Sequence, residues 1–178
     1  LGVLDAGSPG SAQQPARPNF LLITADDMNY NSPGVAGCRI PDITPNIDRL
    51  AAEGLYFTRA HVAAAICQPC RQALMTGRYP HSNSAGGFDP IRPDVPTLQE
   101  QLRRAGYFQG IMAKVPHLAP QGRFCWDVVV DASQLGIGRD PKKYYQHAQA
   151  FFAAAKASGK PFFLMANSQD PHRPFAGS

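Results

Sequence analysis

The chain has 178 residues, 44% of them hydrophobic and 17% charged, a balance that suits a globular domain with a buried core. Its 17 Lys and Arg against 13 Asp and Glu leave a net charge of +4, but the basic doublets Arg103-Arg104 and Lys142-Lys143 stand apart. That scatter argues against a nucleic-acid binder and leaves a mild bias toward anionic ligands. No apolar run approaches the length of a membrane span, and four cysteines do not make a disulfide framework at this length.

Residues 1–18 are rich in Gly, Ser, Ala, Gln and Pro and read as a flexible leader. Leu1-Gly2-Val3-Leu4 with Ala6-Gly7-Ser8 looks like the tail of a secretory signal, although no basic n-region is present. The folded part is expected over residues 19–178. Residues 19–24 form a short apolar run, a buried-strand pattern, and it ends in Ala25-Asp26-Asp27. Thr44 then caps a helix with Pro45 at its first position, with Ile47, Leu50 and Ala51 expected inward and Gly54 as the stop. Residues 55–62 read as a second strand leading to a helix over residues 68–76. Pro69 suits that helix's first turn, and Gly77 ends it. Thr97-Leu98-Gln99-Glu100 is a capping box that opens a helix running to Ala105, with Gly106 as its stop. Residues 107–113 are a third strand, ending at Lys114. Asp140-Pro141 starts a long helix that ends near Ser158-Gly159. Residues 161–167 are a fourth strand, followed by Ser168-Gln169-Asp170-Pro171-His172. Residues 78–96 and 115–139 read as loops.

Strands alternating with helices imply an α/β fold around a largely parallel sheet. In such folds the ligand crevice lies beyond the carboxyl ends of the strands. Asp26 and Asp27, then Lys114, then Asp170 and His172 each follow directly after a predicted strand. An active site on one sheet edge is the expectation.

Asp26-Asp27 offers two hard carboxylates, which suit Ca²⁺ or Mg²⁺ and equally suit a polar loop start. Cys67 stands at a helix N-terminus, where free N–H groups and the helix dipole favour an anion. Arg71, one turn on, presents a planar fork of donors for an oxyanion. Cys67-Gln68-Pro69-Cys70 also fits a thiol redox module or part of a zinc site, though Cys38 and Cys125 are isolated. Lys114 is either an anion ligand or a solvated strand-end lysine. His61, His81 and His147 have no such context.

Cys67-x-Pro69-x-Arg71, followed by Leu74-Met75-Thr76-Gly77, resembles the motif by which type I sulfatases mark one cysteine for oxidation to formylglycine. The resemblance spans residues 18–178 and includes Thr44-Pro45-Asn46-Ile47-Asp48-Arg49-Leu50-Ala51-Ala52-Glu53-Gly54, which is similar to the family's first helix. The segments around Lys114 and His172 are similar to the heparan N-sulfatase branch. Cys70 departs from the motif, which usually has serine, threonine or alanine there. Lys114-Val115-Pro116-His117 holds one residue more than the family's Lys-x-His.

The resemblance implies an alkaline-phosphatase-like fold, of which this chain would be the N-terminal part of the catalytic domain. It implies hydrolysis of a sulfate ester or N-sulfate on a sulfated small molecule or glycan. The nucleophile would be formylglycine made from Cys67 by a formylglycine-generating enzyme, with Asp26, Asp27 and residue 67 on Ca²⁺ or Mg²⁺. One hydroxyl of the hydrated aldehyde would attack sulfur, and the second would expel the sulfate. Arg71, Lys114 and His172 would hold the sulfate, His117 the formylglycine, and histidine would protonate the leaving group. Export to a periplasmic, extracellular or lysosomal compartment is expected. The family's later Asp-Asn metal ligands and second lysine have no counterpart here, so little activity is expected of these residues alone. A phosphate or phosphonate ester hydrolase of the same superfamily would share the fold and the motif.

Overall fold

A computed structural model of the chain describes residues 17–175. The expected leader, all but its last two residues, lies outside that range. Four strands form one sheet in the order β1-β4-β2-β3: β1 Phe20–Thr24, β2 Phe108–Met112, β3 Val128–Val130 and β4 Phe162–Asn167. Every pairing is parallel, with Leu22 opposite Met165 and Ile111 opposite Met165 and Val129. The helices are α1 Pro45–Glu53, α2 Cys67–Thr76, α3 Pro80–Asn83, α4 Leu98–Arg104 and α5 Pro141–Ser158.

Helices cover both faces of the two central strands, as a parallel sheet requires. On one face Met75 of α2 joins Ile111, Tyr107, Phe163 and Met165, with Leu102 of α4 packed against them. On the other, Phe151 and Ala155, one turn apart on α5, pack on Met112, Leu164 and Val130. Gly110 makes that second contact possible, because a Cβ there would stand 2.4 Å from the Phe151 ring.

The helix ends follow their capping residues. Thr97 and Glu100 form the expected reciprocal capping box of α4. Asp140 accepts from the amides of Lys142 and Lys143 at the start of α5, and Gly159 closes it in the left-handed conformation. Gly77 closes α2 at φ 63°.

Three sequence expectations fail. Residues 55–62 form no strand; the segment is irregular, with Leu55 and Phe57 exposed. Its apolar pattern has no sheet partner among the described residues, and α2 is entered from a loop. The α1 helix is present, but Ile47 and Leu50 point outward, at 43% and 69% exposure. That helix is held by polar contacts instead: Asp48 accepts from the Val35 amide, and Thr44 Oγ1 accepts from the Gly34 amide rather than capping. Finally, β3 lies inside the stretch 115–139 that reads as a loop, and α3 lies inside 78–96.

Candidate active site

Three strand ends and one helix start meet at the carboxyl edge of the sheet. β1 ends at Thr24, and Asp26 follows it into the interior at 2% exposure. β2 ends at Met112, and Ala113 and Lys114 both take left-handed φ near 55°. That turn brings Lys114 back over the edge, at 9% exposure, and opens the 3₁₀ turn Val115–His117. β4 ends at Asn167, which is fully buried. Cys67 is the first residue of α2, and no side chain caps that helix, so its leading N–H groups keep their polarity for another acceptor.

A buried charge cluster sits at the centre. Arg71 donates through NH2 to Asp26 Oδ1 at 3.1 Å, and through NH1 to Thr24 Oγ1 at 3.0 Å and Asn167 Oδ1 at 2.5 Å. Lys114 Nζ pairs with the second oxygen, Asp26 Oδ2. Two cations thus share one carboxylate, and the cluster carries one net positive charge. Burying such groups costs several kcal/mol per ion unless hydrogen bonds compensate, so the surrounding amide and hydroxyl matter. Burial pushes the Asp26 carboxyl toward its neutral form, but Lys114 and Arg71 together prevail and hold it below the usual carboxylate range.

Asn167 organises this cluster, and no sequence signal marks it. Its Oδ1 accepts from both Arg71 and Thr24, while Nδ2 donates to the Met112 and Ala113 carbonyls at 2.9 and 3.2 Å. One amide therefore ties the ends of β1, β2 and β4 to Arg71.

Position 67 faces an imidazole. Cys67 Sγ lies 3.9 Å from His117 Nε2, so the extra residue in the Lys114–His117 spacing does not keep them apart. Burial lowers the pKa of His117, and the Lys114 and Arg71 charges lower it further, so the ring is neutral near pH 7. His117 Nδ1 and Arg71 Nε are buried with no hydrogen-bond partner among the described residues, an incomplete network of the kind found where a ligand is meant to bind. The cysteines are free thiols, and burial raises the pKa of Cys70.

His172 and Asp27 form the rim. His172 Nε2 stands 3.6 Å from Asp27 Oδ2, and its backbone amide donates to Gln169 O. Asp170 is joined to the centre by its carbonyl, which accepts from the Asp26 amide at 3.2 Å. Of the residues expected in the site, Arg71 and Lys114 both contact Asp26, Cys67 pairs with His117, and Asp27 pairs with His172.

A divalent metal fits this arrangement only in part. Asp26 and Asp27 are hard oxygen donors, but both Asp26 oxygens are engaged by cations. Among the described residues no three His, Cys, Asp or Glu cluster as a metal site. Two carboxylates fall well short of the 6–8 oxygens that Ca²⁺ takes. The position of residue 67 does suit a polar oxygen, given the uncapped helix start and the adjacent imidazole.

Comparison with known proteins agrees with this geometry. The Sulfatase family model matches residues 18–178. The ulvan-active sulfatase of Formosa agariphila is 31% identical over 158 residues, which are 88% of this chain and 30% of that protein. The N-acetylgalactosamine-6-sulfatase of Canis lupus familiaris is 37% identical over 138 residues, 70% of this chain and 26% of that protein. A structure solved in complex with its substrate D-glucosamine-2-N,6-O-disulfate superposes with a TM-score of 0.71 at 26% identity, covering 88% of this chain and 35% of that one. The chain spans about a quarter to a third of the length of the curated relatives it matches. No helix among the described residues is long and apolar enough to cross a membrane.

Proposed function

The chain belongs to the sulfatase family, and on that premise we propose that it carries the nucleophile and sulfate-binding groups of a sulfuric ester or sulfamide hydrolase. The observation that carries the reading is the placement of Cys67 at an uncapped helix start, 3.9 Å from a neutral imidazole and one turn from a buried arginine. A strand-end lysine on the same carboxylate as that arginine supports it.

Oxidised to formylglycine and hydrated, residue 67 would supply an oxygen nucleophile that no encoded side chain offers. The protein's own groups do the rest. Arg71 and Lys114, fixed beforehand by Asp26, bind the sulfonyl oxygens and meet the charge that builds on them. His117, kept neutral by burial and the neighbouring cations, can take a proton at the residue 67 oxygen through Nε2 in its Nδ1–H tautomer. His172, at the rim beside Asp27, is placed to return a proton to the leaving oxygen or nitrogen. Asp26 and Asp27 would contribute carboxylates to a Ca²⁺ or Mg²⁺ ion, with further oxygens from beyond the described residues. The sulfated substrate is a small molecule or a glycan, maturation needs a formylglycine-generating enzyme, and the composition of residues 1–18 supports export.

The test is the mass of the peptide containing residue 67 after co-expression with a formylglycine-generating enzyme, read together with turnover of an aryl sulfate. Conversion is expected at Cys67 and not at Cys70, because only Cys67 has proline at the second and arginine at the fourth following position. Cys67→Ala should leave the fold intact and abolish turnover. Conversion at Cys70, a native 67–70 disulfide, or preference for a phosphonate ester over the sulfate would overturn the reading.

A further inference from the structure

We propose that Arg139 is a positioning residue of this site, whose guanidinium holds residues 170–174 in the shape that sets the His172 imidazole beside Asp27. The role given to His172 rests on the function proposed above. The clamp itself rests on geometry.

β4 ends at Asn167, so the chain beyond it leaves the sheet ladder and must find other partners for its polar backbone. Arg139 supplies three contacts from one side chain. Its Nε donates to Asp170 Oδ1 at 2.8 Å, and its NH2 donates to the carbonyls of His172 and Pro174, each at 2.7 Å. These acceptors span five residues and bracket His172. A guanidinium can meet them together because its donors diverge from a rigid plane; an ammonium is a single point.

The clamp is itself anchored. The Arg139 amide donates to Leu135 O at 3.0 Å, the Gly138 amide donates to Ala132 O at 3.1 Å, and Asp140 caps the start of α5. Gly138 takes φ 74° and its carbonyl accepts from the Gln169 amide, which docks the 132–140 turn onto the chain leaving β4. From the opposite side, the Asp26 amide donates to Asp170 O. The His172 segment is therefore held between the strand end that bears Asp26 and the turn that bears Arg139. Arg139 also neutralises Asp170, so an anionic substrate meets no unpaired carboxylate there. Arg139's side-chain hydrogen bonds and ion pair go to Asp170, His172 and Pro174 and not to Cys67, Arg71 or Lys114, so its action passes through the segment.

The test compares amide hydrogen exchange and histidine ring signals in the 178-residue chain with and without sodium sulfate. In Arg139→Ala the His172 amide should exchange about tenfold faster, while α2 and β4 amides keep their protection. Sulfate should shift both the His117 and His172 ring signals in the wild type, and only that of His117 in the variant. Arg139→Lys should lie between the two. Wild-type exchange at His172 in Arg139→Ala overturns the proposal. If Arg139→Ala does not fold, unchanged exchange in Arg139→Lys overturns it instead. If sulfate shifts neither ring in the wild type, the anion-site reading fails, while the exchange comparison still decides the clamp.

Discussion

Replacing Asn167 by alanine isolates the groups that fix the charge cluster. The side chain is fully buried and makes four hydrogen bonds: two accepted, from Arg71 and Thr24, and two donated, to Met112 and Ala113. A neutral hydrogen bond contributes roughly 1 kcal/mol net, one to a charged group roughly 2 kcal/mol, and a buried partner left unsatisfied adds a penalty. Three neutral bonds and one charged bond give about 5 kcal/mol, which relaxation of the local backbone should reduce to about 3–5 kcal/mol. Thr24→Val removes the hydroxyl between Asn167 and Arg71, with one neutral and one charged bond, and should cost about 2–3 kcal/mol. Urea unfolding at neutral pH measures both values. The same variants should bind sulfate more weakly, since Arg71 loses a buried anchor. A cost below about 1 kcal/mol for Asn167→Ala would mean that water or a shifted Arg71 replaces the amide easily, and the idea of a rigid, preset cluster would fall.

Glu100 tests the pH dependence. Its side-chain bond to Arg123, aided by the Thr97 amide and opposed by burial, holds its carboxyl below the ordinary value of 4.5. A carboxyl depressed in the folded state stabilises above the unfolded value, and that contribution fades as pH falls through the folded one. Glu100→Gln should therefore cost about 1 kcal/mol near neutrality and progressively less as the buffer is taken below 4.5; an equal cost at both ends would contradict it. Calorimetry on the 178-residue chain should find Ca²⁺ binding no tighter than about millimolar, because two carboxylates are far from a full shell. Added sulfate should tighten it, since an anion on Arg71 and Lys114 frees Asp26, and by reciprocity Ca²⁺ should tighten sulfate. Tight stoichiometric Ca²⁺ binding that Asp26→Ala abolishes would show a complete shell among these residues.

Much of the fold is legible in the sequence wherever a local cause acts alone. α2, α4 and α5 lie within a residue or two of their expected bounds because Gly77, Thr97 with Glu100, and Asp140 set their ends by their own chemistry. β1, β2 and β4 are short apolar runs ending where polar residues begin. What the sequence does not display is partnership. Val128–Val130 is too short to signal a strand, and it becomes one only because Gly110–Met112 offers an open edge. Residues 55–62 have the apolar pattern but pair with no strand among the described residues, although the outer edge of β1 is open. The apolar positions of α1 predict a buried stripe, yet that helix packs through Asp48 and leaves Leu50 in solvent. The site divides in the same way. Asp26, Cys67, Arg71, Lys114 and His172 are visible as strand-end or helix-start residues. Asn167, Thr24 and Arg139 are ordinary residue types whose importance exists only once three strand ends and a turn are brought together.

That division bears on how the site works. Cations that bind an oxyanion in water must be desolvated and oriented, and a flexible lysine or arginine loses much of its binding energy in being held still. Here the orientation is built into the fold. Asp26 holds Arg71 by one oxygen and Lys114 by the other, and Asn167 and Thr24 fix the remaining face of the guanidinium. The carboxylate lowers the desolvation cost without cancelling the charge, so one net positive charge stays beneath the start of α2. Burial, with that same charge behind it, keeps His117 neutral, which on the proposed reading makes it a proton acceptor and not a third cation. Asp26 thus has a use that is independent of any metal. It is the counter-ion that lets two cations share one buried site, and its removal should disorder Arg71 and Lys114 even in metal-free buffer.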